Sequence, residues 1–226
     1  GLGALIFKKE TVIVLPLNTP ISSIQDYIQT DLVILKNDKP FYNRDFKTVR
    51  LGQIEKLPFT LTITDTCHSC QIVLRPEDEK DGWIGAFQSM MLIDAPRPIN
   101  PEETLQGIDF TIKGSKKQDG KYLTFEGFPK PLTITSGDDR YTILIERHRT
   151  TLPFSLTLTQ FDKEYYTGTR RAKNYTSHIS INDSNTEFKT IITMNDPFRY
   201  GGYSFYQSSF IGDETSVLAV VENRAY

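Results

Sequence analysis

Short runs of alternating polar and apolar residues dominate this chain. Residues 11–15, 57–64, 71–74, 110–112, 132–135, 141–146, 154–159, 177–181, 188–194, 204–210 and 216–221 are each brief and rich in β-branched or aromatic side chains. That pattern predicts strands. Thr60-Leu61-Thr62-Ile63-Thr64 is the clearest case: Leu61 and Ile63 share one face and the threonines the other, because successive strand side chains point oppositely. Turn-formers separate the runs. Gln118-Asp119-Gly120-Lys121, Ser136-Gly137-Asp138-Asp139 and Asn182-Asp183-Ser184-Asn185 read as hairpin connections, the first two with Gly where positive φ is cheap.

Helical periodicity is thin. Ile21, Ile24, Tyr27 and Ile28 fit one short amphipathic helix, and residues 84–92 a second. The fold class expected is mainly β: an antiparallel, sandwich-like architecture with one or two short helices. The densest run of prolines, Ala95-Pro96-Arg97-Pro98-Ile99-Asn100-Pro101, marks the internal boundary, since Pro removes ladder donors and fixes φ. It divides the chain into a β-rich N-terminal half, residues 1–95, and a β-rich C-terminal half, residues 96–226. An internal echo links the two. Residues 57–64 (LPFTLTIT) recur as residues 152–159 (LPFSLTLT), which reads either as a duplicated β-unit or as a common edge-strand opening.

Composition narrows the function. Of 226 residues, 38% are hydrophobic and 24% charged, so the chain can build a packed core. Its 26 basic and 28 acidic side chains leave a net charge of −2, too balanced for a protein that binds nucleic acid by neutralising phosphates. No stretch approaches the roughly 18–20 apolar residues of a membrane-spanning helix. The apolar start, residues 1–7, is too short for a leader, and Lys8-Lys9 follow it rather than precede it. A chain that begins without Met is expected to be a segment of something longer.

The two cysteines stand in Thr66-Cys67-His68-Ser69-Cys70-Gln71. Covalent haem attachment requires a His directly after the second thiol, and here His68 lies between them. A zinc site needs four ligands, and the spacing of His148 and His178 brings neither close. A thioredoxin-like redox pair wants its first Cys at a helix N-terminus, whereas this pair sits between two strand-like runs, as in a tight hairpin. Two readings stay open: a local disulfide, or a redox pair acting on a partner. His68 is also a candidate haem ligand. No hydrolase, zinc-protease, phosphate-loop or dinucleotide motif occurs, so no catalytic residue and no metal ligand is assigned.

The C-terminal third is the most distinctive. Residues 152–158 (LPFSLTL) lead through Phe161-Asp162-Lys163-Glu164-Tyr165-Tyr166 to residues 192–209, ITMNDPFRYGGYSFYQSS. Asn195-Asp196-Pro197 forms a turn, Gly201-Gly202 permits close approach, and the tyrosines after them alternate along a strand. Tyr200, Tyr203, Tyr206 and Gln207 are either core residues with satisfied hydroxyls or an aromatic surface for a partner chain or porphyrin.

Residues 152–221 resemble the ResB-like family of system II cytochrome c biogenesis proteins. The resemblance implies an extracytoplasmic domain of a bacterial inner-membrane protein, held by its own flanking transmembrane helices. It further implies a non-catalytic scaffold that helps deliver haem to apocytochrome c, beside a CcsA/ResC-like haem-handling membrane protein. Haem would be handled by the full complex, with no cofactor assigned to this chain. Two alternatives from other classes are a thiol–disulfide oxidoreductase using Cys67 and Cys70, and an unrelated ligand-binding β-sandwich.

Overall fold

The computed structural model describes residues 11–223, so the apolar start and Lys8-Lys9 lie outside the described residues. In chain order the strands are β1 (Thr11–Pro16), β2 (Ile21–Lys36), β3 (Lys39–Asp45), β4 (Gly52–Ile54), β5 (Thr60–Cys67), β6 (Cys70–Leu74), β7 (Met90–Asp94) and β8 (Gly107–Lys113). They continue with β9 (Gly120–Phe125), β10 (Leu132–Ser136), β11 (Asp139–Tyr165), β12 (Ala172–Asp183), β13 (Thr186–Thr193), β14 (Phe198–Tyr200), β15 (Tyr203–Ile211) and β16 (Thr215–Glu222). Neighbouring strands pair antiparallel. The mainly β, antiparallel reading therefore holds.

The expected helices do not form. Residues 21–28 belong to β2, and Ile24 and Asp26 are buried at every second position. Four apolar residues matched a helical face by spacing, but Thr11 and Val12 pair with Asp26 and Gln25, and the ladder imposes a period of two. Residues 84–92 supply only a single 3₁₀ turn, Gly85–Gln88, before β7 begins.

The backbone divides into two compact units. One comprises the described residues up to Tyr27 together with those from Arg149 on, and the other is Ile28–His148. β2 and β11 thus contribute residues to both. The Pro-rich run at 95–101 falls inside the second unit, where it carries the chain from β7 to β8. The echoed segments fall one in each unit, at β5 and in the later part of β11.

In the first unit, β11, β12 and β13 form one set of neighbours, and β1, β16, β15 and β14 another. Ile13, Leu15, Leu152, Phe154, Leu156, Leu158, Ile179, Ile181, Phe205, Leu218 and Val220 make its core. The alternation along β11 shows why: Leu152, Phe154, Leu156 and Leu158 point inward while Pro153 is exposed, and pairing with β12 starts beyond the proline, at Ser155. Proline has no N–H to give a ladder. In the second unit, β4-β5-β8-β9 form a four-stranded sheet and β6-β7 a two-stranded one. Leu61, Ile63, Ile108, Phe110, Ile112, Leu123, Ile134 and Ile143 lie in its core.

Candidate functional site

In the first unit the Gly201-Gly202 turn joins β14 to β15. Both glycines have positive φ, +58° and +83°, as a two-residue hairpin loop of this twist requires. A Cβ on Gly201 would also lie 2.6 Å from the Phe154 ring. The turn places Tyr200 opposite Tyr203 and Phe198 opposite Phe205. Tyr200 stacks on Phe198 and meets Phe154 edge-on at 4.9 Å and Phe188 at 5.2 Å. Its hydroxyl donates to Asp183 at 2.5 Å, and that hydrogen bond holds its pKa above the ordinary tyrosine value. Tyr203 packs near Phe154 and Phe205.

Gln207 is buried. Its amide oxygen accepts from the Ser177 hydroxyl at 2.5 Å, its nitrogen donates to Ser216 at 3.0 Å, and the two serine hydroxyls are 2.7 Å apart. Each member of this triangle has a partner, which is what a buried polar group requires. Tyr206 faces the other way and is 39% exposed. Of the four residues considered for a partner- or haem-facing surface, Tyr200 and Tyr203 are half-buried, Gln207 is internal, and Tyr206 alone is exposed.

A second aromatic group was not legible in the sequence. Phe161, Tyr175 and Phe210 pack with ring centroids 5.3–6.3 Å apart, and the Lys163 ammonium sits 4.2 Å over the Phe210 ring. Lys163 also bonds Asp213 at 2.6 Å and the Gly212 carbonyl, tying the end of β11 to the β15–β16 turn. Exposed Tyr165, Tyr166 and Ile211 follow on these two elements.

The cysteines lie in the second unit. Cys67 ends β5, Cys70 opens β6, and they form a disulfide. The link between them is not a hairpin: β5 pairs with β4 and β8, while β6 pairs with β7. The turn hands the chain from one sheet to another. Both residues are nearly covered, 7% and 8% exposed. Cys67 lines a cavity of about 230 Å³ together with Asp65, Asp94, Leu92, Gly107 and Asp109.

Asp109 is the residue that sequence reasoning missed. It lies on β8 opposite Asp65 on one side and the fully buried Leu123 on the other. Its Oδ1 is buried and has no hydrogen-bond partner. Burial first, and then the Asp65 charge, push its pKa up to about 6 against a partial opposing pull from Arg75. Arg75 itself is engaged elsewhere. Its guanidinium lies 3.6 Å from the Trp83 ring and donates to the Phe87 and Met90 carbonyls. The sequence signal was absent because Asp109 alternates with buried Ile108 and Phe110, which reads as a solvent-facing position.

His68 is exposed, with its ring edge-on to Phe46 at 5.2 Å. It lines a cavity of about 250 Å³ with Thr30, Lys47, Arg97 and Gln106. That is smaller than the ~300–1,000 Å³ typical of cofactor-sized sites. His148 pairs with buried Asp31 at 2.5 Å and His178 with Asp162 at 2.8 Å. Among the described residues no group of three or more His, Cys, Asp or Glu is placed to hold a metal ion, and no helix is long and apolar enough to cross a membrane.

Comparison with known proteins locates the similarity in the later part of the chain. Residues 118–225 match the ResB-like family, a stretch running from just before β9 to beyond β16 and including the aromatic turn at Gly201-Gly202. The chain is also similar to Protein NrfI of Wolinella succinogenes, 39% identical over 69 residues, which is 30% of this chain and 8% of that much longer protein. Residues 118–225, from the approach to β9 through β16, are thus the part of this chain that is similar to the ResB-like family.

Proposed function

We propose that this chain is the extracytoplasmic scaffold domain of a membrane-anchored ResB-like protein in cytochrome c biogenesis. The family match and the similarity to Protein NrfI support the biogenesis role. In this reading the domain is non-catalytic and stands on the outer side of the bacterial inner membrane. It docks a CcsA/ResC-like haem-handling membrane protein and apocytochrome c, while the haem stays with the membrane-embedded partners.

The observation that carries the reading is the division of labour within the matched segment. Tyr200, Tyr203 and Gln207 are held in packing and hydrogen bonds, whereas Tyr206, Tyr165, Tyr166 and Ile211 stay exposed. Exposed tyrosines suit docking, since a large rigid ring buries apolar area and its hydroxyl stays wet. In this reading the haem chemistry belongs to the membrane-embedded partners.

The test is photo-crosslinking from position 206 in the complete membrane protein during cytochrome c maturation. Adducts with a haem-handling membrane protein or with apocytochrome are expected. The reading is overturned if position 206 yields no adduct and Tyr206→Arg leaves the haem-stained cytochrome c level unchanged.

A further inference from the structure

We infer that Cys67 and Cys70 form a reducing dithiol–disulfide pair that passes electrons to a protein disulfide, with the Asp109 carboxylate taking the proton from the Cys67 thiol. This does not rest on the scaffold reading, because the cysteines lie in the second unit and before the family-matched segment.

Position supports the assignment. Cys67 and Asp65 point to the same face of β5, two residues apart, and Gly107 and Asp109 to the same face of β8. The register sets Cys67 opposite Gly107 and Asp65 opposite Asp109, so Asp109 lies diagonally across from Cys67. Both line the same cavity. A side chain on Gly107 would collide with Leu92 and come 2.9 Å from the Thr124 carbonyl, so nothing larger than hydrogen stands opposite Cys67.

Charge gives the direction of electron flow. The acidic groups facing Asp109 are Asp65 from β5 and Asp94 from β7, both exposed. The basic group is Arg75, which is held on Trp83 and two carbonyls. A thiolate among carboxylates is disfavoured, so the reduced state gains no stabilisation from ionising. That lowers the pair's potential and makes it a donor rather than an acceptor of electrons. Such a thiol needs a base to attack, and Asp109 has an unpartnered buried oxygen to serve. A half-buried carboxyl with one buried oxygen left unpartnered is costly and is otherwise unexplained by the packing.

The step balances. The Cys67 thiol gives its proton to the Asp109 carboxylate, and the Cys67 thiolate attacks one sulfur of the partner disulfide. The first partner thiolate leaves and takes a proton from the Asp109 carboxyl, forming a mixed disulfide. The Cys70 thiol then loses its proton and attacks the Cys67 sulfur, closing the Cys67–Cys70 bond and releasing the second partner thiolate, which takes that proton. Two electrons pass to the partner, and a protein dithiol of lower potential restores the pair by the reverse exchange.

The experiment is stopped-flow exchange of the dithiothreitol-reduced chain with a C-x-x-C peptide disulfide, from pH 4.5 to 8.5. The parent rate should show an inflection near the Asp109 pKa of about 6. Asp109→Asn should remove the inflection and slow exchange at pH 7 by about 10-fold to 100-fold, at or below the lower end of what a general base contributes. Asp65→Asn should move the inflection to lower pH. Equal rates and matching pH profiles for parent and Asp109→Asn overturn the proposal. So does an equilibrium in which the Cys67–Cys70 dithiol stays reduced while the peptide disulfide persists, which would give the pair the higher potential.

Discussion

Two polar sites at the edge of the packed interior are built on opposite terms. In the first unit Ser177, Gln207 and Ser216 close a triangle in which every member is hydrogen-bonded. In the second unit Asp109 keeps an oxygen with no partner, faces another aspartate and borders a disulfide. The satisfied triangle links β12, β15 and β16 through side-chain hydrogen bonds. The unsatisfied carboxyl weakens the fold and keeps its capacity for proton transfer. Polar residues inside a β-structure are therefore told apart by what they leave unmade.

The largest effects belong to the satisfied side. Phe154 touches Tyr200, Tyr203 and Phe205 and presses on Gly201. Phe154→Ala should cost about 3–5 kcal/mol, the range for a buried aromatic truncated to a cavity, read from the urea midpoint. Gln207→Leu should cost about 1–3 kcal/mol, because Ser177 and Ser216 lose the group that completes their bonding. If Gln207→Leu were neutral, the triangle would not be what holds this part of the core, and the contrast with Asp109 would collapse.

How much of this was legible beforehand depends on which face of a strand is covered. Alternation exposed the inward residues Leu61, Ile63, Leu156 and Leu158, and turn chemistry located the hairpins at Gly137 and Ser184, both of which have positive φ. The Asn-Asp-Pro and Gly-Gly elements marked the aromatic block. Residues 21–28 misled because isoleucine spacing fits a helix until β1 supplies a ladder. Asp109 was invisible for a related reason. Its strand alternates correctly, but the face it occupies is covered by Leu92 and Leu123 from other elements, and no local pattern records a neighbour distant in sequence. The cysteine turn failed likewise, since two adjacent strand-like runs did not reveal that each pairs elsewhere.

A smaller effect of opposite sign tests the orphaned carboxyl. The pKa of Asp109 is raised from 3.8 to about 6 in the folded chain, so its stabilising contribution is complete below 3.8 and is lost as pH rises through 6. Allowing for partial exposure, the loss above pH 6 should be about 1–2 kcal/mol. Asp109→Asn should therefore be more stable than the parent at pH 8 by that amount and nearly equal to it at pH 3.5, as compared by urea unfolding. Greater stability with slower thiol exchange would separate function from folding within one residue.

The smallest effect on stability is expected at Tyr206. Its neighbours along β15 are buried Phe205 and Gln207, while its own ring leaves the core, so Tyr206→Ala should change stability by no more than about 0.5 kcal/mol, as for a surface position. That near-neutrality is what makes it informative. Phe154→Ala would lower cytochrome c yield by unfolding the domain, and the loss would say nothing about docking. A Tyr206→Ala chain that unfolds at the parent's urea midpoint yet supports less haem-stained cytochrome c would place the defect on the exposed face alone. Unchanged maturation would instead leave Tyr206 as a solvated strand residue and count against a docking face on β15.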